Sequence, residues 1–209
     1  MTDPTVVVRG EASLDAWPEV AEFSASVRVQ HNRRSVALSH LEERLAAVRA
    51  LLDQHADVIE RRETSQLWVS ADAKHEDATV SYHAHVTTSV VMRDLGVVGD
   101  VMMRVAELAD VAGPNWSLRD DSPVYRQARH AALADAIVRA RDYADALGAR
   151  LTGLLELSEV GARDGEYRAV PLAMAASAAG PSIELDRQLL TVRATVVARF
   201  AISEPTLLD

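Results

Sequence analysis

Three histidines near the middle of the chain are the residues whose type and spacing point most directly to chemistry. His83 and His85 are two residues apart in an alternating run, so in a β-strand their imidazoles leave the same face. His75 precedes them in a polar turn beside Glu76 and Asp77. Imidazole is a ligand for zinc, nickel and copper. The grouping predicts a divalent-metal or small-molecule site, or alternatively a solvated sheet face or a subunit interface.

A second candidate site is basic. Arg33 and Arg34 follow His31 and Asn32 at a predicted turn from strand to helix. A helix N-terminus with two arginines can bind an anion, because its free backbone N–H groups and the helix dipole attract negative charge. The alternative is ordinary capping with solvated charge, since exposed charged groups contribute little by themselves.

Several function classes are excluded by what the chain lacks. It has no cysteine, which excludes disulfides, thiolate catalysis and cysteine-ligated metals. It contains neither a Gly-x-Ser-x-Gly nucleophile elbow nor a phosphate-binding loop. Its net charge of −9 opposes general binding to nucleic acid. We therefore predict a protein that is not an enzyme, takes no cofactor and binds no nucleic acid.

Two alternating runs predict the strands that carry the histidines. Residues 21–30 and 79–93 alternate apolar and polar side chains, which is typical of strands with one buried and one wet face. A last strand over residues 189–202 has the same pattern. If these strands form one sheet, its polar face carries Ser24, Ser26, Arg28, His83, His85, Arg193 and Thr195.

Three stripes of apolar residues at helical spacing predict the layer that covers the sheet. They run over residues 32–55, 95–109 and 122–147. Gly113–Pro114 is expected to break the second helix. The third is the clearest, because Ser122 is a favoured N-cap, Pro123 suits the first helical position and Gly148 can end the helix. Its apolar stripe is Leu133, Ile137, Ala140, Ala144 and Leu147.

The predicted element order is ββαββαβαββ. It indicates an α+β two-layer sandwich, a mostly antiparallel sheet with three helices packed on one face. Residues 18–119 spell βαββαβ, the split-βαβ pattern of a ferredoxin-like core. Gly10 suggests a bulge or bend in the first strand. No sharp linker is present, so we predict one domain over residues 1–209 with its core at about 5–203.

Residues 161–186 form a predicted flexible loop rich in Ala, Pro, Gly and Ser. Val170, Leu172 and Met174 within it could pack on a partner subunit, or the loop could simply cover the surface. A loop of this length is uncommon unless it is functional or disordered. With exposed strand edges that need covering, this favours a homo-oligomer.

No membrane or export signal is recognisable in the sequence as given. The first ten residues lack a basic region followed by a long apolar run, as a secretory signal peptide would have. No stretch of eighteen apolar residues predicts a transmembrane helix. These features predict a soluble, cytoplasmic protein unless a leader has been removed.

Short motifs in a fixed order run from the first strand to the last. They comprise Val6-Val7-Val8-Arg9-Gly10-Glu11-Ala12-Ser13, Pro18-Glu19-Val20-Ala21, Val91-Met92-Arg93-Asp94-Leu95, Ala131-Ala132-Leu133-Ala134-Asp135-Ala136, Arg141-Asp142-Tyr143-Ala144-Asp145-Ala146-Leu147-Gly148, Pro181-Ser182-Ile183-Glu184 and Thr191-Val192-Arg193-Ala194-Thr195-Val196. Together they resemble the SIMPL-domain family, which has no assigned function. The family includes bacterial periplasmic immunogenic proteins and oxidative-stress-defence proteins.

The resemblance implies an α+β fold with related halves, and assembly into large rings in some members. It brings no established catalytic residues. Family members often carry a signal peptide and lie in the periplasm or envelope, whereas none is recognised here. The usual Pro-Asp is Pro18-Glu19 in this chain. The expected function is a non-enzymatic, oligomerising structural or interaction module, stress- or envelope-related by family resemblance.

Overall fold

The computed structural model describes residues 4–72, 80–159, 170–171 and 186–206, with 170–171 described by their backbone alone. All pairings between its described strands are antiparallel, which confirms the predicted α+β class. The elements in chain order are β1 (Thr5–Ala16), β2 (Val20–His31), α1 (Arg34–Asp53), β3 (Ile59–Thr64), β4 (Trp68–Asp72), β5 (Ser81–Met92), α2 (Val98–Ala106), β6 (Asp110–Ser117), α3 (Pro123–Ala146), β7 (Leu151–Glu159), β8 (Val170–Pro171) and β9 (Leu190–Ile202).

The strands are divided between two sheets, each in its own unit. The inserted unit comprises residues 18–117 with the short piece 186–187. The terminal unit comprises the described residues of 4–17, 118–171 and 188–206. Arg193 and Thr195, expected on one polar face with the histidines, lie on the terminal sheet instead. That residues 1–209 act as one domain stays a prediction.

The inserted unit has the topology that the sequence predicts. Its sheet order is β3-β5-β2-β6, and α1 and α2 connect the strands as in a split-βαβ, ferredoxin-like fold. Both helices pack on β2. Apolar side chains from the strands and helices fill the core because the alternation in the strands directs them to one face. The largest fully buried members are Phe23, Leu52, Met92, Val27, Val48, Val90, Val98, Val101 and Val105.

Two strands, β3 and β4, lie one after the other along the same edge of β5. β3 pairs with Thr88–Met92 and β4 with Ser81–His85. Ser65 bridges the gap between them, because its N–H donates to the Thr87 carbonyl over 2.8 Å and its Oγ accepts from the Thr87 N–H over 3.0 Å. The register against β5 shifts by one residue between the two strands, from Thr64↔Thr88 in β3 to Trp68↔His85 in β4.

The glycine–proline pair that was expected to break the second helix lies inside β6 instead. α2 ends earlier, at Ala106. Gly113 has a φ of 120°, a backbone conformation that residues with a side chain rarely adopt. A Cβ at this position would also lie 3.0 Å from the Glu22 carbonyl oxygen. The β2–β6 register shifts between Glu22 and Ser24, so the pair marks an irregularity in a strand.

The terminal unit is built from a sheet of order β1-β9-β7 and the long helix α3. β8 pairs with the first residues of β9, at Leu190 and Thr191. β1 and β9 pair over twelve residues in unbroken register from Thr5↔Ala201 to Ala16↔Leu190. Gly10 lies within this regular stretch, so the expected bulge at that glycine is wrong.

Gly10 is required by the close approach of α3. A Cβ on this residue would collide with the carbonyl oxygen of Ala132 and lie 2.6 Å from the backbone nitrogen of Ala136. The two backbones therefore meet at a distance that excludes any side chain at position 10. The glycine is explained by tertiary packing.

The buried face of α3 differs from the predicted stripe. Leu133 and Ile137 are only half-buried, whereas the fully buried residues are alanines four residues apart: Ala128, Ala132, Ala136, Ala140 and Ala144. The predicted helix ends are confirmed. Pro123 occupies the first turn, and Gly148 has a φ of 64°, the left-handed conformation that ends a helix.

Candidate functional site

The candidate site lies on the polar face of the inserted sheet, defined here by the outward residues of β2, β5 and β4. Alternation along β2 buries Phe23, Ala25 and Val27 and directs Ser24, Ser26, Arg28 and Gln30 to the opposite face. On β5 the same alternation buries Ala84 and Val86 and directs Ser81, His83, His85, Thr87 and Ser89 outward. The predicted polarity of both strands is confirmed.

Strand pairing arranges these side chains in two rows. His85 lies opposite Arg28 on β2 and opposite Trp68 on β4. His83 lies opposite Gln30 and Ser70 in the same way. The sequence does not predict that Trp68 and Ser70 join the histidines, because their position depends on the register of β4 against β5.

Hydrogen bonds fix several side chains of the polar face. Thr87 Oγ1 lies 3.0 Å from His85 Nε2 and 2.9 Å from Ser26 Oγ. Arg28 donates to an Asp110 carboxylate oxygen over 2.8 Å. Gln30 Nε2 donates to Ser81 Oγ over 2.8 Å, and Ser89 donates to Glu22. The side chains of the polar face are therefore held in place by hydrogen bonds to one another, and their groups can donate and accept hydrogen bonds.

A shallow cavity of about 660 Å³ opens on this face. Its lining includes both histidines, Trp68, Ser70 and Gln30, with Asp72 beside them. Small-molecule sites have volumes of roughly 300–1,000 Å³ and combine apolar surface with a few polar groups. The cavity has the size and the mixed lining of such a site.

The predicted metal site is only partly within the described residues. His83 and His85 share one face as predicted, but His75 lies outside the described residues. Within residues 4–72, 80–159 and 186–206, no three His, Asp or Glu side chains come close enough to hold a metal ion. A pair of imidazoles falls short of the three or four protein ligands of a zinc site.

Arg33 and Arg34 lie at the start of α1, as predicted. Arg33 is the N-cap residue, Arg34 begins the helix, and both side chains are exposed. The Arg33 backbone N–H donates to His31 Nδ1 over 3.0 Å, and the His31 ring meets the His40 ring edge-on at 5.9 Å. Anion binding here stays a prediction.

Of the predicted interface residues, only Val170 is described, and only by its backbone. It lies in β8, opposite Thr191 of β9. Leu172 and Met174 lie outside the described residues, so an interface there stays a prediction.

A surface that the sequence analysis missed lies on β7. Leu154, Leu155 and Leu157 are 52%, 57% and 47% exposed, although each is a large apolar residue. Two irregularities in the pairing with β9, at 151/153 and 154/156, disturb the alternation of this strand. The signal that could have revealed it is the run Leu154-Leu155-Glu156-Leu157, which lacks the alternation of a strand with one buried face.

Asp135, a carboxyl of the terminal unit, has a pKa below its ordinary value. The hydrogen bond from the Glu11 backbone N–H to Asp135 lowers the pKa of Asp135, and the hydrogen bond and charge of Arg139 lower it further. The contacts are 3.0 Å and 2.8 Å long. They tie β1 to α3, which is a structural role.

Membrane insertion through a helix finds no support in the described residues. None of the helices there combines enough length with enough apolar character to cross a bilayer.

The fold and the candidate site together define an α+β protein with two antiparallel sheets and a polar sheet face. The SIMPL family model, described as a protein of unknown function (DUF541), matches residues 6–200. The chain belongs to this family, as the resemblance predicted.

Two curated relatives are each named "26 kDa periplasmic immunogenic protein", one from Brucella melitensis biotype 1 and one from Brucella abortus strain S19. Each is 28% identical over 167 residues, which covers 74% of this chain and 66% of the relative. The chain therefore matches slightly less than two thirds of the relatives' length.

Proposed function

We propose that this protein is a non-enzymatic structural module that assembles with copies of itself. The observation that carries the proposal is the exposure of three leucines within four consecutive residues of β7, namely Leu154, Leu155 and Leu157. Burying apolar surface is the main driving force of protein association, and exposed clusters of apolar side chains mark interaction sites.

The position of β7 at the border of its sheet supports a strand-mediated contact. β7 pairs with β9 on one side, and no strand among the described residues pairs with its other side. An unpaired edge presents a row of backbone N–H and C=O groups that another strand can bind. β1 is the opposite border of the same sheet. A chain with two such borders can extend its sheet through a second copy.

A non-enzymatic role is supported by the chemistry of the chain. The sequence offers no cysteine and no nucleophile motif. The polar side chains brought together on the inserted sheet are hydrogen-bonded to one another, as in the Ser26–Thr87–His85 series. This arrangement suits recognition better than proton transfer.

We infer an envelope-related role from the relatives, whose names place them in the periplasm. The cytoplasmic location expected from the sequence stays a prediction. Fractionation of the native host, with an antibody to this chain, distinguishes the two locations.

Size-exclusion chromatography with light scattering tests self-assembly. At micromolar concentration we expect the mass of an assembly of two or more chains, each of 22.7 kDa. The double variant Leu155→Glu/Leu157→Glu is expected to lower that mass, because charge on an exposed edge opposes pairing. Met103→Glu is the matched control, since Met103 is equally exposed but lies on α2.

A wild-type chain that is monomeric throughout this concentration range would overturn the proposal. An assembly that survives the double variant would instead overturn the assignment of the contact to β7.

A further inference from the structure

Trp68 is a large aromatic side chain that the fold leaves in solvent on a polar surface. It is 58% exposed and lies on β4 directly opposite His85. Trp116, by comparison, packs against the core of the same unit. An indole that is held by a strand, surrounded by hydrogen-bonding groups and left uncovered presents a flat apolar face to a ligand.

The residues around Trp68 form a patch, in which they lie in two rows across neighbouring strands. Adjacent strands lie about 4.8 Å apart, so the row Trp68–His85–Arg28 spans about 10 Å across three strands. The second row, Ser70–His83–Gln30, runs parallel to it about 6.8 Å along the strands. The cavity of about 660 Å³ lies over both rows. This shape suits a flat ligand lying on the sheet.

The patch offers both hydrogen-bond donors and hydrogen-bond acceptors. Ser70 offers a hydroxyl and His83 an imidazole, each able to donate and to accept. Gln30 uses its amide nitrogen to bond Ser81 over 2.8 Å, and its amide oxygen can still accept. A matching ligand carries several hydroxyl groups beside an apolar face.

The charges of the patch favour a neutral ligand. Among the described residues that line the cavity, the one Arg or Lys is Arg28, which is paired with Asp110 at 2.8 Å, and Asp72 adds a carboxylate. The charged side chains of this described lining are therefore balanced or slightly negative, which opposes phosphate or sulfate. A neutral, polyhydroxylated ring with an apolar face is a sugar.

We propose that the polar face of the inserted sheet binds a neutral carbohydrate. A pyranose ring stacks on Trp68 through its C–H groups, which are attracted to the negative face of the indole. Gln30, Ser70 and His83 hydrogen-bond the ring hydroxyls of that sugar or of the next unit. The proposal does not depend on self-assembly, because every residue it uses belongs to one chain.

Isothermal titration calorimetry on the full chain with maltotriose, cellotriose and chitotriose tests the site. At least one of these sugars is expected to bind saturably at concentrations up to about 10 mM, where even a millimolar site is occupied. Binding is expected to shift the tryptophan fluorescence. Inorganic phosphate, titrated in parallel, is expected to give no binding.

Variants assign the binding to the patch. Trp68→Ala is expected to weaken the affinity by at least tenfold, and Trp17→Ala is the matched control, since Trp17 is 64% exposed but lies outside the patch. Gln30→Ala and His83→Ala are expected to weaken it about three- to tenfold each, the usual effect of one lost hydrogen bond. Circular dichroism verifies that each variant is folded.

Three results would overturn the proposal. They are an absence of saturable binding for all three sugars, equal affinity in wild type and in folded Trp68→Ala, and binding of phosphate without any sugar.

Discussion

The two units of the molecule bring helices against their sheets in opposite ways. In the inserted unit, Leu52 and Val101 of the helices share a buried cluster with Phe23 and Met92 of the strands. In the terminal unit, α3 presents a row of alanines to a strand that has a glycine, Gly10, at the point of closest approach. The first contact is held by large side chains that fill space, and the second by the close approach of two backbones.

The difference teaches that the two contacts have opposite vulnerabilities. A core of large side chains loses stability when one is truncated, because a cavity remains. A contact between backbones has no room for added atoms, and enlargement forces the elements apart. A stability measurement on one variant of each kind therefore tests whether the two units are held as described.

The largest effect is expected from Gly10→Ala. The added Cβ collides with the Ala132 carbonyl oxygen, which belongs to the backbone of α3 and cannot rotate away. We expect a loss of about 4 kcal/mol or more in the free energy of unfolding, above the usual cost of overpacking because backbone atoms are involved. Urea unfolding followed by circular dichroism measures it.

Gly153→Ala is the matched control for that variant. Gly153 is a glycine of the same sheet, but a Cβ there would meet no heavy atom within 4 Å. We expect a change of less than about 1 kcal/mol. Equal losses in the two variants would show that the close approach of α3 to Gly10 does not hold the terminal unit.

Leu52→Ala is the corresponding variant of the inserted unit. Leu52 is fully buried on α1, and its truncation is expected to cost about 3 kcal/mol in unfolding free energy through lost burial and a residual cavity. Leu67→Ala removes the same atoms from an exposed position and is expected to change stability by less than about 0.5 kcal/mol. Thermal unfolding compares the two. A tolerated Leu52→Ala would contradict a core held by filled volume.

The smallest effect on stability is expected from the hydrogen bond between the Glu11 backbone of β1 and Asp135 of α3. The pKa of Asp135 is lowered from 3.8 in the folded state, so folded protein binds the proton less readily than unfolded protein does. Its stabilisation is therefore fully present above pH 3.8 and is lost as the pH falls through the lowered pKa.

Asp135→Asn tests this hydrogen bond by its pH dependence. We expect the variant to be less stable than wild type at neutral pH, with a difference that shrinks as the pH falls below 3.8. Urea midpoints measured from pH 7 downward record the difference. Asp142→Asn removes a carboxylate from the exposed surface of the same helix and is the control. A pH-independent difference would show that Asp135 does not act through its charge.

The regular parts of the fold could be predicted because their signals are local. Alternation along residues 21–30 and 79–93 predicts two strands with a polar face, and both are confirmed as β2 and β5. Pro123 and Gly148 predict the two ends of α3, because each determines the conformation of its own backbone: Pro123 begins the helix, and Gly148 adopts the left-handed conformation that ends it. His83 and His85 lie on the same face of β5 because side chains two residues apart in a strand point the same way.

Features that depend on distant residues could not be predicted. The alanine row of α3 is buried because β1 lies close to it, whereas hydrophobicity alone favours Leu133 and Ile137. Trp68 meets His85 only through the register of β4 against β5. The leucines of β7 are exposed because α3 packs on β1 and β9 and barely reaches β7, which depends on the tertiary arrangement.

The sequence by itself determined the α+β class, the split-βαβ order of the inserted unit, the strands with one buried and one polar face, and the family. Each of these follows from local periodicity or from short motifs. Only the tertiary structure decided the division into two sheets, the need for glycine at Gly10 and the neighbours of the histidines. Those features arise from contacts between residues far apart in the chain, such as Gly10 with Ala132 and Ala136, or Trp68 with His85. The backbone geometry that creates such contacts exists only once the elements have packed.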